Sequence, residues 1–130
     1  MDEMRILKDC HEFIKRIYLL KLPHDEVYGL QSQIRRASIS ILLNITEGNG
    51  RNSPKDYLKF CYNARGSIYE VKECLILCYN LYGLLTEQEL QMLVSISKQL
   101  TNLIQYLKSN IQNPTSQPKR ADSKRIPPIF

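Results

Sequence analysis

One segment of the chain, residues 30–51, places apolar side chains on two sides of a single predicted helix. Its polar residues recur at steps of three or four, so in a helix they fall within an arc of roughly 80°. These polar residues are Gln33, Arg36, Ser40, Asn44, Glu47 and Arg51. An apolar stripe runs beside them, and Ile39, Leu42 and Leu43 occupy much of the remaining circumference. A helix of this kind buries more than one surface, so we expect copies of the chain to associate.

The composition fits one globular domain. Hydrophobic residues make up 43% of the 130 residues and charged residues 24%, while five glycines are too few for a fold with many tight turns. No apolar stretch approaches the roughly 18 residues of a membrane-spanning helix. The N-terminus lacks the basic and apolar parts of a signal peptide. We therefore expect a cytoplasmic protein with no membrane partner.

Hydrophobic spacing predicts two helices in the first half of the chain. The first spans about residues 3–21 and ends before Pro23, because proline disfavours a helical conformation in the residue before it. The second begins at Asp25 or Glu26 and continues to Gly48, where glycines and asparagines interrupt it.

Two further helices have well-marked ends. The third begins after Ser53, which is followed by a proline in the first turn, and closes at Gly83. The fourth begins with a capping box over residues 86–89. Long helices joined by short loops predict an all-α, up-down-up-down antiparallel four-helix bundle over residues 1–112. Residues 113–130 form a basic, proline-rich tail that we expect to be flexible.

The cysteines do not resemble a metal site. Cys10, Cys61, Cys74 and Cys78 all lie among apolar residues, and the chain has only two histidines. The spacing of Cys74 and Cys78 is not that of a zinc knuckle. We expect buried, reduced thiols that pack as small hydrophobic side chains.

Antiparallel pairing of the second and third helices across residues 49–52 predicts which of their residues meet. Ala37 then faces Gly66, and Ser40 faces the region of Asn63. Small side chains there would let the two backbones approach closely. Such an approach would explain Gly66, because glycine inside a helix costs about 1 kcal/mol relative to alanine.

The same pairing brings charged side chains together. We expect one partly buried polar network that holds the fold. Its members are Arg36, Asn44, Glu47, Arg65 and Glu70. Because an unpaired buried charge is costly, Glu70→Ala should destabilise the protein. No nucleophile–base pair, metal-ligand cluster or phosphate-binding loop accompanies the two carboxylates, so we expect no enzymatic activity, cofactor or metal.

Residues spread over the second and third predicted helices resemble the motif of a known family. They are Leu30, Gln33, Arg35–Ala37, Ser40, Asn44–Ile45, Glu47–Gly48 and Arg51, followed by Phe60, Ala64–Ser67 and Glu70. The pattern is similar to the four-helix-bundle family first described from reading frames inserted in bacterial large-subunit ribosomal RNA genes. The likeness spans about residues 5–110. It implies a ring-like homopentamer without enzymatic activity. Similar bundles include the accessory variability proteins of diversity-generating retroelements, which bind nucleic acid on a basic surface and associate with a reverse transcriptase.

Charge and resemblance together favour a non-catalytic, oligomeric nucleic-acid-binding accessory protein, with a reverse transcriptase as one possible partner. The net charge of +5 is concentrated in the tail and around the central turn. The candidate contacts to RNA or DNA are Arg51, Lys55, Lys59, Lys119, Arg120, Lys124 and Arg125. We expect binding that depends on salt and is indifferent to base sequence. No basic stripe interleaved with aromatic residues, of the kind that stacks single strands, is visible in the sequence.

The alternative is a protein-interaction scaffold of the ribosomal RNA intervening-sequence lineage, without direct nucleic-acid binding. The last seven residues, 124–130, combine two basic residues with an apolar, proline-containing end. Such a segment could dock onto a partner protein. The sequence leaves both hypotheses open.

Overall fold

The computed structural model describes residues 3–112, which form four α-helices and one short 3-10 helix. The α-helices are α1 (Glu3–Tyr18), α2 (Leu30–Asn49), α3 (Pro54–Tyr82) and α4 (Glu87–Gln112), and the 3-10 helix is His24–Glu26. No strand occurs between residues 3 and 112, so the expected all-α class is confirmed.

Side-chain contacts between neighbouring helices show that these helices are antiparallel. As residue numbers rise along one helix, the contacted residues fall along the next. The contacts are Asp9–Gln99 and Arg16–Glu89 between α1 and α4, Gln33–Glu70 and Ser40–Ser67 between α2 and α3, and Tyr62–Lys108 between α3 and α4. The hydroxyl of Thr86, one residue before α4, also donates to the carbonyl oxygen of Leu75 in α3. With α1 packed against α2 as well, the four helices close into a bundle.

The core is built from one apolar stripe of each helix. Phe13, Ile41, Tyr57 and Leu100 are each 1% exposed, and they come from α1, α2, α3 and α4 in turn. Full burial of such a side chain contributes roughly 1.5–3 kcal/mol, so the shared core holds the four helices together.

The two apolar faces of α2 have different surroundings. Ile34, Ala37, Ile41 and Ile45 are buried in the core. Leu43 on the other side is 59% exposed. Ile39 and Leu42 are partly buried, Leu42 against the core, so within one chain the second apolar face is only partly covered.

The first two helices are shorter than the sequence predicts. After Tyr18 the backbone tightens, because the amides of Leu19 and Leu20 bond to carbonyl oxygens only three residues earlier. The Arg35 guanidinium stacks on the Tyr18 ring at 4.2 Å and donates to the Tyr18 carbonyl oxygen at 3.3 Å. These contacts end α1 three residues before the predicted boundary.

The start of α2 is also later than predicted, because residues 24–26 form the separate 3-10 helix. The Glu26 carboxylate accepts the backbone N–H of Leu30 at 2.9 Å and also accepts the hydroxyl of Tyr82. The Tyr82 hydrogen bond, followed by the Leu30 amide, lowers the pKa of Glu26, and the same contact raises the pKa of Tyr82 to about 12. Glu26 thus caps α2 from outside the helix and links it to the end of α3.

The predicted ends of α3 are confirmed. The Ser53 hydroxyl accepts the backbone N–H of Asp56 at 3.1 Å, and Pro54 occupies the first turn. Gly83 has a φ of 66°, and its N–H bonds to the carbonyl oxygen of Tyr79 at 2.8 Å. This left-handed residue ends the helix as glycine commonly does.

The glycine at the close contact between α2 and α3 is Gly48, whereas the sequence predicted Gly66. A Cβ on Gly48 would lie 2.7 Å from Cδ1 of Tyr57 and 2.9 Å from Cβ of Phe60. A Cβ on Gly66 would meet nothing within 4 Å. The pairing is also offset, because Ser40 bonds to Ser67, about one turn beyond the predicted Asn63 region. Gly66 therefore lies on the exposed side of α3 without an internal packing reason.

The two glycines should respond oppositely to alanine. We expect Gly66→Ala to raise the free energy of unfolding by up to about 1 kcal/mol, because alanine favours a helix and its methyl group meets open space. Gly48→Ala should lower it by roughly 1–3 kcal/mol, because Tyr57 is buried and cannot move aside. Urea unfolding of both variants measures this. Equal changes in both would contradict the assignment.

Candidate nucleic-acid interface

Two of the predicted nucleic-acid contacts lie on the outer side of α3. Lys55 and Lys59 are exposed and one helical turn apart, and neither has a carboxylate partner among the described residues. Tyr62 and Gly66 continue the same line at steps of three and four residues. We call these four residues the outer ridge of α3. Its two lysines are available to phosphate groups in a way that an ion-paired lysine is not.

The structure adds two cations to this ridge that the sequence analysis did not select as contacts. The Arg65 guanidinium lies over the Tyr62 ring, 4.8 Å from its centroid, and the Lys108 ammonium lies 6.0 Å from the same centroid. Tyr62 remains 36% exposed. The i,i+3 spacing of Tyr62 and Arg65 was a usable sequence signal, but Lys108 reaches the ring from α4 and had none.

Arg51, the third predicted contact within the described residues, is already engaged. Its guanidinium donates to Glu47 at 2.9 Å and lies 4.9 Å from the centroid of the Phe60 ring. The Arg51 side chain is 46% exposed, so the ion pair is accessible to water. Arg51 is therefore partly neutralised, whereas Lys55 and Lys59 are not.

The polar residues of α2 line an open groove of about 610 Å³ on the outer face of α2 and α3. Five of the six residues of the sequence pattern reach it, together with three apolar side chains. The lining consists of Arg36, Ser40, Asn44, Glu47 and Arg51 with Ile39, Leu43 and Phe60. These polar residues of α2 are therefore open to solvent on one side, and they are not enclosed between α2 and α3.

The structure connects the charged residues differently from the single network that the sequence predicted. Glu70 accepts from Gln33, whose own oxygen accepts from Arg36 at 3.0 Å. Glu47 pairs with Arg51 instead, and Arg65 stacks on Tyr62. Arg65 therefore groups with Tyr62 and Lys108 of α4, apart from the residues of α2. Asn44 donates to the Ser40 backbone and hydroxyl oxygens at 2.9 and 3.0 Å.

A contact that the sequence analysis missed joins α1 to α4. The Arg16 Nε donates to Glu89 at 2.7 Å, and the Glu89 side chain is 7% exposed. The sequence assigned Glu89 to the capping box of α4. Its pairing with a residue 73 positions away is visible only in the tertiary structure.

The four cysteines are core residues. All four are buried and free, which confirms the expectation of reduced thiols in the core. Burial raises the pKa of Cys10 to about 12 and that of Cys78 to about 11, so these thiols stay protonated at neutral pH. Between residues 3 and 112, no cluster of three His, Cys, Asp or Glu side chains is arranged to hold a metal ion.

Comparison with known protein families identifies the family of this bundle. The model of the 23S rRNA-intervening sequence protein family matches residues 2–106. The chain belongs to this family. The match includes α1, α2, α3 and the outer ridge, and it ends before Lys108. No curated protein matches the chain.

Four predicted contacts lie outside the part of this family member that the structure describes. They are Lys119, Arg120, Lys124 and Arg125, all in the expected tail of residues 113–130. They also lie beyond the family match. Over residues 3–112, no helix is long and apolar enough to cross a membrane.

Glu70, which the sequence placed in a partly buried network, and Glu89, which the structure pairs with Arg16, should differ in their contribution to stability. We expect Glu89→Ala to lower the free energy of unfolding by about 1–3 kcal/mol, because it removes a buried partner of Arg16. Glu70→Ala should change it by less than about 0.5 kcal/mol, because Glu70 is exposed. Thermal and urea unfolding of both variants measure the difference. A larger loss for Glu70→Ala would restore the sequence-based network.

Proposed function

We propose that this protein is a non-catalytic, homo-oligomeric accessory protein that binds RNA or DNA through its basic surface. The observation that carries the proposal is the pair Lys55 and Lys59, exposed on one ridge without carboxylate partners among the described residues. Lysines in this state can replace the counterions of nucleic-acid phosphates. Arg65 and Lys108 add positive charge beside them.

A homopentamer, which the family resemblance implies, would multiply a weak contact. Two lysines per chain make a small patch, but several linked copies bind with a high effective concentration. The second apolar face of α2 supports such an assembly, because Leu43 is 59% exposed in the single chain and lies in a groove with Ile39 and Phe60. A reverse transcriptase is the protein partner that the same resemblance suggests.

Salt-dependent binding tests the nucleic-acid proposal. We expect a labelled oligonucleotide to bind at low salt, and the double variant Lys55→Gln/Lys59→Gln to bind more weakly with a shallower salt dependence. Each lost phosphate contact lowers the slope of log K against log salt by about 0.7–0.9. The matched control is Lys72→Gln/Lys98→Gln, which removes the same charge from exposed positions off the ridge. An absence of binding by the unaltered protein at low salt would refute the proposal and favour a protein-interaction scaffold.

Light scattering tests the assembly. We expect a mass near five times the 15.2 kDa of one chain. Leu43→Asp should reduce that mass, because it places a charge at the exposed part of the second apolar face of α2. Leu85→Asp is the control, since Leu85 is 72% exposed but follows the C-terminal end of α3. A monomeric unaltered protein, or equal effects of both variants, would contradict this arrangement.

A further inference from the structure

The outer ridge of α3 carries an aromatic ring among its cations, which phosphate binding alone does not require. No basic stripe interleaved with aromatic residues was visible in the sequence, because two of the cations become neighbours of the ring only in the folded chain. Lys55, Lys59 and Tyr62 follow one another at steps of four and three, so they project to the same side of the helix. From Lys55 to Gly66 the ridge is about 16 Å long, because each helical residue rises about 1.5 Å. At about 3.4 Å for each stacked nucleotide, this length matches roughly five nucleotides of one strand.

The surroundings of Tyr62 favour stacking of a nucleobase on its ring over a role in core packing. The ring is 36% exposed, and the Arg65 guanidinium 4.8 Å from its centroid forms a flat, positively charged neighbour. Aromatic rings and arginine planes both stack on nucleobases, and every base offers a π face. Lys108, 6.0 Å from the ring centroid, adds a charge for the adjoining phosphate.

Gly66 is a second feature of the ridge that packing within the described chain does not explain. It lies one turn after Tyr62 on the ridge, in the middle of a 29-residue helix, and a Cβ there would meet nothing within 4 Å. Glycine costs such a helix about 1 kcal/mol, and no packing inside the described chain explains it. A missing side chain lets a ligand approach the backbone closely.

The acidic residues mark where the ridge ends. Glu70 and Glu73 follow Gly66 on α3 and are both exposed, so a strand would be repelled beyond that point. Asp56 follows Lys55 directly but projects about 100° away from it around the helix. The favourable stretch is therefore Lys55 to Gly66.

We propose that the outer ridge of α3 binds single-stranded nucleic acid, with a base stacked on Tyr62 and phosphates held by Lys55, Lys59 and Lys108. This inference rests on the proposed function and narrows it from nucleic acid in general to unpaired strands. A duplex keeps its bases stacked inside, so it can use the lysines but not the ring. The ridge has no array of groups that would select one base over another.

A tryptophan probe tests the stacking directly, because the chain contains no tryptophan. We expect the tryptophan fluorescence of Tyr62→Trp to be quenched by an unlabelled dT oligonucleotide and to be unaffected by a duplex of equal length. The matched control is Tyr79→Trp, since Tyr79 is 56% exposed on the same helix but projects about 100° away from the line of the ridge. Equal quenching of both probes, or none at Tyr62→Trp while binding persists, would overturn the inference.

Affinity measurements give a second readout. We expect Tyr62→Ala to weaken single-strand binding at least about fivefold and to leave duplex binding unchanged, with Tyr62→Phe close to the unaltered protein. Gly66→Gln should weaken single-strand binding while stabilising the fold, which separates ligand contact from packing. Binding that depends on Lys55 and Lys59 but not on Tyr62 would refute the stacking and leave the proposed function standing. No binding of either nucleic acid at low salt would refute both.

Discussion

The packing of α2 against α3 is the contact on which the rest of the molecule depends. At Gly48 the two helices come so close that a Cβ would lie 2.7 Å from the Tyr57 ring. This contact holds the turn between the helices and sets the register that brings Ser40 to Ser67. Because Tyr57 is turned into the core, Lys55 and Lys59 are turned outward on the same helix. The position of the outer ridge of α3 is thus a consequence of core packing.

The two sides of α3 have different surroundings as a result. Toward α2 it presents Phe60, which contributes to the groove and supports the Arg51–Glu47 pair. Away from α2 it presents the ridge, where Tyr62 receives Arg65 and Lys108. A nucleic acid on the ridge and a second copy in the groove would not compete for the same side chains. The proposed assembly and the proposed binding are therefore compatible on one helix.

Several features were predictable because they depend on neighbours in the sequence. The cap at Ser53 and the left-handed Gly83 each follow from local chemistry, and the structure contains both. The ends of α1 and α2 were predicted less well, because Arg35 and Glu26 determine them through contacts with Tyr18 and Tyr82 in other elements. The candidate site was predicted only in part. Lys55 and Lys59 were selected by their charge, whereas Lys108 reaches Tyr62 from α4 and had no signal in the sequence.

The sequence by itself determined the class of fold, because hydrophobic periodicity and helix-terminus residues act over a few positions and need no tertiary contact. It also showed that α2 has two apolar faces. Only the tertiary structure decided which of those faces is covered, which glycine sits in the close contact, and which charges meet. Those outcomes depend on the register between helices, and a shift of one turn changes every pair. Gly66 lies on the exposed ridge because α3 turns the face that carries Phe60 and Ser67 toward α2.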